Sequence, residues 1–174
     1  QVPTQNHSTR FASGNSSHAL HGETWVALLE KGYAQANEIG GFLRNTFRNG
    51  RNSYAAIEGG QGNPLFHITG QPFTHTRLNA GNHQQRDNII ELAKQGKNFY
   101  LGSRANTTDA NGKINFIPSH AYTITGFNTD TDTFTIMNPW GEAHARSRHN
   151  HTFTSTWEQL ANSNPGARVY WLRD

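Results

Sequence analysis

His120 and Asn138 are the two residues whose types and placing could do chemistry together. A neutral imidazole accepts a proton near neutral pH, and an asparagine carbonyl can hold that ring in one orientation. These are two members of a Cys-His-Asn arrangement for nucleophilic catalysis. They stand in Ser119-His120-Ala121-Tyr122 and Asn138-Pro139-Trp140-Gly141. The nucleophile is missing, because the 174 residues include no cysteine. The same absence excludes disulfides and thiolate metal sites within this sequence, and it leaves the redox compartment open. Taken alone, each residue has a plainer reading. A strand histidine is often a hydrogen-bonded structural group, and Asn-Pro is a turn signal that ends strands.

The elements that must position the pair are legible from periodicity. Tyr122 and Ile124 alternate with Thr123 and Thr125, a turn follows at Asn128 to Asp132, and Phe134 and Ile136 return the chain. Such an antiparallel hairpin puts His120 at the start of one strand and Asn138 at the end of the other, on the same edge. Upstream, Trp25, Leu28, Leu29, Gly32, Tyr33 and Ala36 fall at helical spacing from a cap at Thr24. The segment from Gln61 to Arg86 reads as mostly irregular. Asp87 is the expected cap of a second helix carrying Ile89, Ile90 and Ala93 and stopping at Gly96. Asn98 to Arg104 reads as a strand. Ser155 and Glu158 form a capping box for a short third helix, and Arg168 to Leu172 is a last strand after Pro165-Gly166. The expected class is α+β with a predominantly antiparallel, twisted sheet and a few flanking helices, in one domain spanning residues 1–174.

Composition narrows the partners. Only 33% of the residues are apolar and the mean hydropathy is -0.77, so the core must be small or borrowed. Ten phenylalanines, five tyrosines and four tryptophans still argue for a real one, since chains unable to fold are poor in aromatics. The charge of +3 comes from 15 basic and 12 acidic residues without a basic stripe, so no nucleic-acid partner is expected. No apolar run reaches membrane-spanning length, and none is expected to engage a membrane. Residues 1–10 hold no hydrophobic stretch of signal-peptide type, so a targeting segment would lie upstream.

With these residues in hand, the chain resembles the second, β-rich protease subdomain of the calpain-like branch of the papain superfamily. There a Gly-His-Ala-Tyr strand and an Asn-Pro-Trp-Gly strand end supply histidine and asparagine. The stretch from Trp25 to Ala34 is similar to the family's Trp-x-Ala-Leu-Leu-Glu-Lys-Ala-Tyr-Ala helix. Tyr54 to Gly60 resembles its Tyr-Glu-Ala-Leu-x-Gly-Gly segment, and Val2 to Asn6 its Leu-Pro-Thr-x-Asn. The resemblance implies catalytic roles for His120 and Asn138 and a supporting one for Trp140, as a roof over the pair. It places Gly59 and Gly60 on the substrate cleft wall, and Ser119 there too, where the family has glycine.

The family's Gln-x-x-x-Gly-Asp-Cys-Trp stretch has no counterpart here. The resemblance therefore implies the C-terminal piece of a longer polypeptide, cut from or completed by a cysteine-bearing N-terminal part, which is the expected partner beside a protein or peptide substrate. The expected function is a thiol protease active only in that combination. The other class of reading is a non-catalytic, protease-derived module that binds protein without cutting it. No cofactor is expected. Between Gly141 and His151 the only acid is Glu142, among Arg146, Arg148 and three histidines, which is a poor ligand set for calcium. Calcium independence is the expectation. His144, His149 and His151 could hold a transition metal, but a solvated loop is the simpler reading, and no metal site is expected.

Overall fold

A computed structural model describes residues 32–36, 64–97, 99–140, 148–162 and 164–173. The chain separates into two compact units, one of Gln1–Gly70 with Trp140–Ala143, the other of Gln71–Pro139 with His144–Asp174. In the first unit residues 32–36 are helical, in agreement with the end of the expected helix; its earlier part lies outside the described residues. Helix α1 (Pro64–Thr69) carries His67, whose Nδ1 is 2.7 Å from the hydroxyl of Tyr33.

The second unit holds a six-stranded sheet in the order β1-β8-β2-β5-β6-β7, every neighbouring pair antiparallel. Its strands are β1 (Phe73–Arg77), β2 (Phe99–Gly102), β5 (Ala121–Asn128), β6 (Thr133–Met137), β7 (Thr152–Ser155) and β8 (Arg168–Leu172), while β3 (Thr107–Thr108) and β4 (Ile114–Phe116) form a separate ribbon. Alternation decides which face is buried. Leu101, Tyr122 and Val169 are cross-strand neighbours, as are Ile124 and Ile136, and all five are buried. Helix α2 (His83–Lys94) adds Ile89 and Ile90, and α3 (Trp157–Asn162) adds Trp157 and Leu160, to one core cluster. Each such side chain contributes about 1.5–3 kcal/mol by leaving water. The class is α+β with a mainly antiparallel sheet and few helices, as the sequence implies.

Four local expectations are corrected. The segment from Gln61 to Arg86 is not mostly irregular: it contains α1 and β1. Its strand escapes notice because Phe-Thr-His-Thr-Arg has no apolar alternation; as an edge strand it needs only β8 as a partner. The cap of α2 is Asn82, whose side chain accepts from the Gln85 N–H at 2.9 Å, whereas Asp87 lies inside the helix and pairs with Arg86 at 3.0 Å. The capping box of α3 is shifted by one residue. Thr156 accepts from Gln159 N–H at 3.3 Å and Gln159 Oε1 accepts from Thr156 N–H at 2.9 Å, while Ser155 ends β7. The β3–β4 ribbon and β7 were not expected as strands at all.

Candidate active site

The end of the sheet where β5 begins and β6 finishes brings the two predicted residues together. His120 Nε2 lies 3.0 Å from Asn138 Oδ1. An amide oxygen can only accept, so Nε2 carries the proton, and the lone pair of the neutral ring is on Nδ1. Both side chains belong to the core face, two residues from Tyr122 and Ile136 respectively. The His120 ring meets that of Tyr122 edge to face, with centroids 4.8 Å apart and planes at 87°. Asn138 is only 2% exposed. Its own N–H donates to the His151 carbonyl at 2.7 Å, and Pro139 then stops the strand by offering no N–H.

The approach to His120 is held from an unexpected side. Ser103, just beyond β2 and buried, donates its N–H to the His120 carbonyl at 2.8 Å and accepts the Ser119 N–H at 3.0 Å. Its hydroxyl donates to the Ile117 carbonyl, and the Tyr122 hydroxyl accepts the Ile117 N–H at 2.9 Å. The loop from 117 to 120 is thereby tied to the sheet by four hydrogen bonds. Ser119 has φ 56, a left-handed backbone that favours glycine.

His149 is an electrostatic neighbour of His120. The segment around His149 is anchored to the β3–β4 ribbon, with Asn150 Nδ2 donating to Asp109 Oδ2 at 3.0 Å and Asn115 Oδ1 at 2.6 Å. The Asn150 hydrogen bond, with the Lys113 N–H, holds the Asp109 carboxyl below its ordinary value. His120 is held below the ordinary histidine value chiefly by burial; the Asn138 bond opposes this and the neighbouring His149 reinforces it. The arrangement keeps the imidazole neutral at neutral pH, the form that takes a proton.

Gly59 and Gly60 lie outside the described residues. So do residues 141–147, including His144 and most of the loop expected not to bind calcium. Trp140 is grouped with the first unit, and His120 and Asn138 with the second. Among the described residues no group of three or more histidine, aspartate or glutamate side chains is arranged to hold a metal, and no helix is long and apolar enough to cross a membrane, which says nothing of a β-barrel. Ser103 and Asn150 had no signal in the sequence: a serine after a strand and an asparagine in a histidine-rich loop have no pattern that marks them as braces.

A neutral histidine bound to a buried asparagine at one end of an antiparallel sheet can take up and return a proton, in a chain without cysteine. The family model of the calpain family cysteine proteases matches residues 1–167, and the chain belongs to that family. No curated protein matches it.

Proposed function

We propose that this chain supplies the general base and its orienting amide to a calpain-like cysteine endopeptidase, whose thiol comes from a cysteine-bearing N-terminal part. The observation that carries this reading is the 3.0 Å contact of His120 Nε2 with Asn138 Oδ1. With Nε2 committed to Asn138, Nδ1 takes the thiol proton. The thiolate attacks the scissile carbonyl, and the imidazolium returns that proton to the leaving amine. Water then hydrolyses the thioester, giving its proton to His120 as the acyl group leaves and the thiol is restored. Asn138 holds the ring through both steps. The family resemblance assigns Trp140 to roof the bond and keep water from it, and Gly59, Gly60 and Ser119 to line the substrate cleft. On this reading residues 1–174 form one subdomain that has no activity alone.

The test joins the full chain to a calpain-family N-terminal protease subdomain and follows hydrolysis of a fluorogenic peptide. Cleavage is expected, with His120→Ala lowering the rate by about 10²–10⁴-fold, the scale of general acid–base catalysis. EGTA should leave the rate unchanged if the loop from 141 to 151 needs no calcium. An assembly that binds the peptide but never cuts it would assign the chain to the protein-binding modules instead.

A further inference from the structure

At the same end of the sheet, three arginines gather with no carboxylate paired to them among the described residues. Arg77 on β1 and Arg168 on β8 are direct cross-strand partners, so their side chains leave the same face side by side. Like charges placed opposite each other in a sheet are destabilising. Arg104 joins them through the turn that precedes β8. A Cβ on Gly166 would stand 3.5 Å from Arg77 Nη2 and 3.8 Å from Arg104 Cγ, so both side chains flank one backbone position. Gly166 has φ +84 and leaves that space open. All three arginines are exposed. Among the described residues the guanidinium–carboxylate pairs belong to Arg86.

The turn is fixed rather than loosely draped. The Asn164 Oδ1 accepts the N–H groups of Arg104 at 2.7 Å and Ala105 at 3.0 Å. The Ala167 N–H donates to the Asn164 carbonyl at 3.0 Å, and the Leu78 N–H to the Ala167 carbonyl at 2.9 Å. Asn164 is fully buried, and among the described residues its Nδ2 has no acceptor.

We propose that Arg77, Arg104 and Arg168 form an oxyanion site around the Gly166 turn that takes a phosphate group. Guanidinium forks match the paired oxygens of phosphate, and three cations fit a dianion better than a single carboxylate. The site lies on the sheet face opposite His120, in the row Arg77, Arg168, Gly102, Ala121, and is independent of the peptidase reading.

Inorganic phosphate titrated into the full chain, followed by calorimetry and amide NMR, tests it. Saturable binding is expected at fixed ionic strength, with shifts centred on Gly166 and Arg168. Arg77→Gln and Arg168→Gln should each weaken binding by about tenfold, the equivalent of one charge-assisted contact. Arg173→Gln, beyond the other end of β8, should not. Without phosphate, Arg77→Gln should unfold no earlier than the parent chain, because a like-charge opposition is gone. A phosphoserine peptide that binds more tightly than free phosphate identifies a phosphorylated protein as the source; equal affinity identifies the free ion. Binding that ignores Arg77→Gln and Arg168→Gln, or that sodium chloride of equal ionic strength reproduces, overturns the site.

Discussion

Ser103 and His120 are bonded backbone to backbone, the N–H of Ser103 donating to the carbonyl of His120 at 2.8 Å, one step beyond the paired residues of β2 and β5. His120 is therefore the last rung of a sheet ladder rather than the first residue of a loop. That rung depends on Ser103 being seated, and its hydroxyl reaches the Ile117 carbonyl. Ser103→Ala keeps the ladder but leaves the part-buried Ile117 carbonyl without its donor. A loss of about 1–3 kcal/mol is expected in urea denaturation. The His120 ring resonances should also broaden; an unchanged midpoint would show that water replaces the hydroxyl.

Ser119 is held at φ 56 by the bonds on either side of it. A side chain costs roughly 1–2 kcal/mol in that region and glycine does not. Ser119→Gly should therefore raise stability, by about 1 kcal/mol once the greater freedom of unfolded glycine is counted. Ser119→Val should lower it. Denaturant midpoints of the two variants, moving in opposite directions, are the check.

The protonation of His120 couples to folding with a definite sign. Unfolded, the ring titrates near 6.5; folded, burial and His149 hold it lower. Between those two values the unfolded chain binds more protons, so stability falls as pH is lowered from 6.5 through the folded value and levels off below it. His120→Gln removes that component from the stability profile. An NMR titration should place the His120 midpoint under 6.5, and a midpoint above 6.5 would refute the assignment.

Trp157 is the largest of the fully buried side chains described, and its Nε1 donates to the Ala80 carbonyl at 3.2 Å. Trp157→Ala removes a ring from the middle of the core and is expected to cost about 3–5 kcal/mol. Trp157→Phe retains much of the volume and loses the hydrogen bond, for about 1–3 kcal/mol. Thermal unfolding followed by circular dichroism ranks the two.

The hairpin was legible because Tyr122, Ile124, Phe134 and Ile136 alternate with threonines, whereas the bulge between Ile124 and Gly126 that sets Ile124 opposite Ile136 leaves no mark in that alternation. Beyond the bulge Thr123 pairs with Met137, and His120 and Asn138 meet at that same end. Elements that draw their stability from partners distant in sequence were not legible. After Phe73, β1 is a row of threonine, histidine and arginine that becomes a strand because Val169 and Trp171 lie opposite Thr76 and Thr74. The two capping patterns, Ser155 with Glu158 and Thr156 with Gln159, satisfy the same sequence rule. Only the burial of Ser155 in β7 decides between them. The braces of the site, Ser103 and Asn150, act through backbone carbonyls and a ribbon, which leave no periodic trace in the residues.

The sheet order also sets a timetable. β5 and β6 are joined by a tight turn, so closing them costs little chain entropy, whereas β1 must wait for β8 from the far end of the sequence. The His120–Asn138 pair thus belongs to the region expected to condense first, and the arginine-bearing edge to the region expected to close last. Truncations such as Ile136→Val should slow folding, while changes in the β1–β8 seam, such as Thr74→Ala, should mainly hasten unfolding. Chevron plots of the two would read out that order directly.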